Sequence, residues 1–140
     1  MRVVAHFLDG RVLKGESLDI DAGRPICHII PRPRGQRVRV ELADLKALYM
    51  VRSFAGDPAR DDIDWLADGD PRRRGAHAVD LLFHDGERLA GLTMHYPPAR
   101  DFFFLLPADP NSNNQRILVN GAAVAEMHWG QASAVARPAT

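Results

Sequence analysis

Apolar residues come in short runs along this chain, and each run is broken by a turn signal before a helix could form. The first, VVAHFL (Val3–Leu8), stops at Asp9-Gly10. Asp-Gly is the strongest two-residue hairpin signal, because the favoured turn requires positive φ at its central positions. The partner strand carries Leu13 and contains Gly15. A glycine inside a strand marks a bulge or a sharp bend. A third run, ICHIIP (Ile26–Pro31), ends at a proline that cannot donate to a ladder. RVRVEL (Arg37–Leu42) alternates as a fourth strand, and a short turn in ADLKAL leads into a fifth. Helical periodicity is weak throughout, so the chain reads as all-β.

The same order then recurs. A shift of 76 positions (Asp85 minus Asp9) lays Val3–Pro31 on Val79–Pro107 without a gap. Phe7/Phe83, Asp9/Asp85, Gly10/Gly86, Leu13/Leu89, Gly15/Gly91 and Pro31/Pro107 are identical pairs. After ADPNSNN (Ala108–Asn114) the match resumes at an offset of 79 (Gln115 minus Gln36), setting QRVRVELADLKAL against QRILVNGAAVAEM. Two consecutive blocks separated by one loop-sized insertion imply an internal duplication. Short strands that bend at Gly15 and Gly91 predict two tandem five-stranded barrels, residues 1–51 and 78–130. Their structural turn residues are Asp9, Gly10 and Gly15 in one copy and Asp85, Gly86 and Gly91 in the other.

Residues 52–77 break the pattern with Gly, Pro and Asp and are predicted to be loop. Within them ARDDIDWLADG has room for a helical turn or two, dipping Ile63, Trp65 and Leu66 onto a barrel. The linker arginines Arg72, Arg73 and Arg74 are expected to be solvated and dispensable for folding. Residues 131–140, small and polar, are expected to be disordered.

Composition narrows the function classes. Of 140 residues, 46% are hydrophobic and 26% charged, and 18 basic side chains cancel 18 acidic ones. Phosphate binding needs a clustered basic surplus, so nucleic acid is disfavoured as a partner. No apolar run approaches the roughly 18 residues of a membrane span, and the start, MRVVAHFLDGR, reads as a strand, not a signal peptide. A single cysteine, Cys27, cannot form an internal disulfide, which makes the cytoplasm the expected compartment. Basic residues are mostly arginine, as in a GC-rich bacterium.

Catalytic chemistry finds little to use. His6, His28, His84, His95 and His128 are scattered without metal-ligand spacing, and the two copies do not share them. Cys27 reads as a small core filler. No nucleophile elbow or phosphate-cradling glycine loop occurs, and neither an enzyme nor a cofactor is expected. Two features point to binding instead. PRPRGQRVR gathers Arg32, Arg34, Arg37 and Arg39 beside a turn, a candidate anion site. Phe102, Phe103 and Phe104 are consecutive on a strand, so they cannot all face one small core. One face must be covered by the other barrel, by the Trp65 segment or by a partner chain.

VVAHFLDGRVLKGESLDID resembles the first signature of Sm-like barrels, and RILVNGAAVAEMHW resembles the second. Leu42 stands where the second copy has Gly121, and neither copy has the helix that precedes such barrels. Src-homology-3-type barrels share the strand order, so the resemblance implies the broader small-barrel class. HFLDGRVLKGES, VELADLKAL and FAGDP resemble an uncharacterised bacterial family without an assigned activity. PRPRGQRVR also resembles the arginine-rich entry of PilZ domains, which implies cyclic di-GMP gripping, although their Asn-x-Ser-x-x-Gly motif is absent. The expected function is therefore a non-enzymatic binding or adaptor module for a protein partner in bacterial regulation or signalling. Nucleic-acid or nucleotide binding through the arginine loops is the alternative, and the residues leave a homo-oligomer open.

Overall fold

The computed structural model describes residues 1–56, 59, 61–66, 69–94 and 101–130. The first half contributes β1 (Arg2–Phe7), β2 (Val12–Glu16), β3 (Ile26–Pro31), β4 (Val38–Glu41) and β5 (Leu45–Val51). The second contributes β6 (His77–Phe83), β7 (Arg88–Thr93), β8 (Phe102–Pro107), β9 (Asn114–Asn120) and β10 (Val124–Trp129). All are antiparallel and form one sheet in the order β10-β6-β7-β8-β9-β5-β1-β2-β3-β4.

Two separate closed barrels, as the sequence pattern predicts, are not what the chain makes. The sheet is continuous and open at both ends. Each half keeps the same internal order, fifth-first-second-third-fourth, but β9 of the second half lies along β5 of the first. Their register sets Ala47 opposite Val119, Leu48 opposite Leu118 and Tyr49 opposite Ile117. With β1 on one side and β9 on the other, β5 has no edge left with which to close its own half.

Apolar residues on both faces of this junction explain the choice. Leu118 enters the first core with Val3, Ile29, Leu48 and Met50. Ile117 and Val119 enter the second core, where Val4, Ala47, Tyr49 and Val51 of the first half join them. Burying each such side chain is worth about 1.5–3 kcal/mol, and half-sized units have thin cores of their own. Asn120, also buried, donates its side-chain amide to the Leu45 carbonyl at 2.8 Å across the junction.

The strands bend where the glycines predict. A Cβ on Gly15 would lie 2.3 Å from the Ile30 carbonyl oxygen, and one on Gly91 2.2 Å from that of Leu106. Only a residue without a side chain lets β2 cross β3, and β7 cross β8, so closely. Gly10 and Gly86 both stand at φ +93°, in the hairpin turns after β1 and β6.

The linker is more ordered than its composition predicts. Residues 61–66 contain no helix; the turn falls later, as a 3-10 helix over Pro71–Arg74 capped by Asp70. Leu66 is fully buried with Leu92 and Ala108, and Ile63 and Trp65 are half-buried. Arg72 is not a solvated charge. It pairs with Asp70 at 2.7 Å and donates to the carbonyls of Pro107 (2.8 Å) and Ala108 (2.9 Å), and Arg73 donates to that of Leu66 at 2.9 Å. These side chains satisfy carbonyls that a loop crossing a sheet would otherwise leave without donors. Residues 131–140 and His95 lie outside the described residues.

Candidate interaction surface

The two ends of the sheet are β4 and β10. β10 (Val124–Trp129) is followed by Gly130 and then by residues outside the described set, whereas β4 has described residues on both sides. Its ladder to β3 sets Cys27 opposite Val40, His28 opposite Arg39 and Ile29 opposite Val38. The Leu42 amide donates to the Pro25 carbonyl at 2.9 Å, which fixes the phase. In an antiparallel pair alternate residues exchange both main-chain bonds. Val38 and Val40 therefore turn their N–H and C=O groups toward β3, and Arg39 and Glu41 turn theirs away from it.

The arginine loop leads into this edge. Residues 32–39 are all exposed. Arg32 lies 3.8 Å from Glu16 and 5.7 Å from the centre of the Phe54 ring; Arg39 lies 3.8 Å from Glu41. Among the described residues, Arg34 and Arg37 make no hydrogen bond or ion pair. Other guanidinium groups are committed to the fold: Arg72 as above, Arg2 to the Arg52 carbonyl at 2.7 Å, and Arg52 to those of Ser112 and Pro110, whereas Arg74 and Arg88 are exposed like Arg34 and Arg37.

Next to Arg39, on the same outward face, His28 is held by Asp19. Asp19 accepts from the His28 amide at 2.9 Å and faces ring Nδ1 at 2.7 Å, with a third bond from Ser17. The His28 ring, then its amide, hold the Asp19 carboxyl at about 2. Ser17 gives its hydroxyl to Asp19 and not to His28, so no serine–histidine–aspartate relay is assembled. Cys27 is fully buried, and burial, with the Asp19 charge, pushes its thiol up to about 11. Among the described residues no group of three or more His, Cys, Asp or Glu side chains could hold a metal ion.

The aromatic run lies inside the molecule. Phe103 is buried in the second core, and Phe102 and Phe104 pack half-buried against the first, with the Arg116 guanidinium 4.3 Å from the Phe104 ring centre. The pleat thus divides three consecutive phenylalanines between two cores, and Trp65 is half-buried in the linker.

A second polar cluster, which the sequence does not reveal, ties the halves together. Lys46 at the start of β5 reaches the β6–β7 turn, 2.6 Å from Asp85 and bonded to Glu87, and its ammonium sits 4.7 Å from the Phe83 ring centre. Tyr49 donates to Glu87 at 2.8 Å and meets the His6 ring edge-on. Burial opposes the charge on Lys46, but the bonds to Asp85 and Glu87 outweigh it and raise its pKa. Burial, then the Glu87 charge and hydrogen bond, raise that of Tyr49. Burial and the nearby Lys46 lower that of His6. In the first half the equivalent ring, Phe7, is covered at 4.6 Å by Arg11 of its own turn, paired with Asp9 at 2.7 Å. Of the other histidines, His77 and His84 are exposed and His128 pairs with Glu126 at 3.2 Å.

Fold and surface together define an all-β protein whose ten-stranded open sheet ends in a short, arginine-flanked edge. The chain belongs to a family of unknown function, DUF6982, whose sequence model matches residues 1–130. No curated protein and no solved structure matches it. Among the described residues no helix is long and apolar enough to cross a membrane.

Proposed function

We propose that this protein is a non-enzymatic binding module that captures an extended segment of a partner protein at the β4 edge. The observation that carries this reading is the outward set of main-chain groups at Arg39 and Glu41, next to an exposed loop and not covered by any other strand. An exposed edge is a template for strand addition, a recurring mode of peptide capture. The matched strand orders and the paired bends at Gly15 and Gly91 support reading the halves as tandem copies of one Sm-like or Src-homology-3-type unit. The outer edge of the first unit is then the position that β5 fills for the second. A regulatory adaptor in a bacterial cytoplasm is the setting that fits such a module. Nucleotide binding is the second reading, favoured by the unpaired Arg34 and Arg37.

Arg39→Pro tests the leading reading. It removes an outward N–H while sparing the ladder to β3, as proline on edge strands does. Tagged wild-type and variant chains should be recovered from their native cells and their bound proteins quantified. A partner retained by the wild type and lost by the variant is the expected result. The same proteins on both, or none on either, would overturn strand capture.

A further inference from the structure

Resting on that reading, we infer that the segment captured at β4 is acidic, with carboxylates at two alternating positions opposite Arg37 and Arg39. Residues facing each other across a ladder share a face. Arg39 pairs with His28 and Glu41 with Ile26, which places Arg39 and Glu41 together on the outward face; the exposed Arg37 stands just before the strand, two residues ahead of Arg39. A strand added beyond β4 and running on past Val38 would set its own alternate side chains against Glu41, Arg39 and then Arg37. The positions opposite Arg37 and Arg39 call for anions, and the one opposite Glu41 rejects one.

Guanidinium groups outnumber carboxylates around the row: Arg32, Arg34, Arg37 and Arg39 stand against Glu16, Glu41 and Asp19. Arg32 and Arg34 stand in the exposed loop just before the row, and the His28 ring is already paired with Asp19 at 2.7 Å. The counterions of Arg32 and Arg39 are both 3.8 Å away, beyond hydrogen-bond range, so their donors remain open. Apolar contact is at hand as well: Ile30 and Val38, both exposed, flank the same corner. Guanidinium forks beside a free main-chain edge match a peptide carboxylate more completely than a nucleic acid. Phosphates would use the charges and leave the edge empty.

The outer edge is also poorly suited to a second copy of this chain. Repeating the β9–β5 register between β4 and another chain's β10 would set Arg39 in the place of Leu118 and Glu126 in the place of Ala47. Both positions are buried at the internal junction, so the copy would bury unpaired charges.

A displayed library of random dodecapeptides, panned against the full chain, tests the inference. Enriched peptides are resynthesised with a fluorescent label and titrated against wild type, Arg39→Pro and the double variant Arg37→Glu/Arg39→Glu. The expected result is enrichment of acidic residues at i and i+2, binding lost in Arg39→Pro, and affinity reduced about tenfold or more in the charge-reversed variant. Peptides methylated at alternate backbone nitrogens give the same test without relying on the folding of a variant. Peptides that need the edge but ignore charge reversal would overturn the acidic preference and leave strand capture standing. Peptides indifferent to both Arg39→Pro and backbone methylation would overturn strand capture itself. A labelled single-stranded RNA dodecamer that binds as tightly, with steep salt dependence and no response to Arg39→Pro, would overturn the inference in favour of nucleic acid.

Discussion

β4 and β9 hold the same place in their halves, yet one ends the sheet and the other lies in its middle. β9 reads Ile117-Leu118-Val119-Asn120 and β4 reads Val38-Arg39-Val40-Glu41. Their inward residues are alike. Ile117 and Val119 enter the second core as Val40 enters the first. The difference lies in the alternate positions, Leu118 and Asn120 against Arg39 and Glu41. At the junction these lie beneath the first half, where Leu118 packs and Asn120 reaches the Leu45 carbonyl. At the edge they stand in water. The joined and the open edge thus differ most in the character of two alternate positions, apolar or amide in β9 and charged in β4. Charge on an edge strand is a common device against unwanted pairing.

The largest effect should come from erasing that difference. Leu118→Arg gives β9 the residue of β4 and forces a guanidinium into the first core. It should destabilise by about 4 kcal/mol or more, as buried unpaired charges do. Urea unfolding would show loss of cooperativity or a greatly lowered midpoint. A midpoint near that of the wild type would mean that β9 does not lie on β5. Leu118→Ala, at about 2–4 kcal/mol, gives a milder version of the same test.

The arginines allow a second contrast of intermediate size. Arg72→Ser removes donors from Pro107 and Ala108 and strands Asp70, and should cost about 2 kcal/mol. Arg34→Ser at the open corner should stay within about 0.5 kcal/mol. Equal melting temperatures for the two variants would contradict the division between structural and available guanidinium groups.

The smallest effect is a change of slope near the edge. The Asp19 carboxyl, depressed to about 2, stabilises the fold above its unfolded value near 4. That stabilisation is lost as pH falls from about 4 toward about 2. Asp19→Asn should flatten the urea midpoint against pH across that window relative to wild type. Parallel curves would show that the His28 pairing does not hold in solution.

How much of this was legible in the sequence varies with the range of the interaction. Local chemistry was readable: Ile26–Pro31 and Phe102–Pro107 are strands with just those bounds, and the turn glycines follow from Asp-Gly. Partner choice was not. Nothing local tells β5 to pair with β9, and Lys46 and Glu87, bonded across the junction, are far apart in the chain. A clue was present nevertheless. RILV has no polar alternation, which is how a strand buried on both faces reads, whereas RVRVE alternates. Arg72 misled because its partners are main-chain carbonyls, which composition cannot display. The three phenylalanines demanded two covered faces, but only the three-dimensional arrangement identifies the second as the first half's own core.

Residue-resolved amide hydrogen exchange on the free protein tests the open edge most directly. In β9, flanked on both sides, the amides from Ile117 to Asn120 should all be protected. In β4 protection should alternate: Val38 and Val40, bonded to β3, should exchange at least about a hundredfold more slowly than Arg39 and Glu41. Fast exchange at those two residues, slowed when an acidic peptide is added, is the predicted result. Arg39 and Glu41 amides already protected in the free protein would contradict it, because the edge would then be paired and no place for a partner strand would remain.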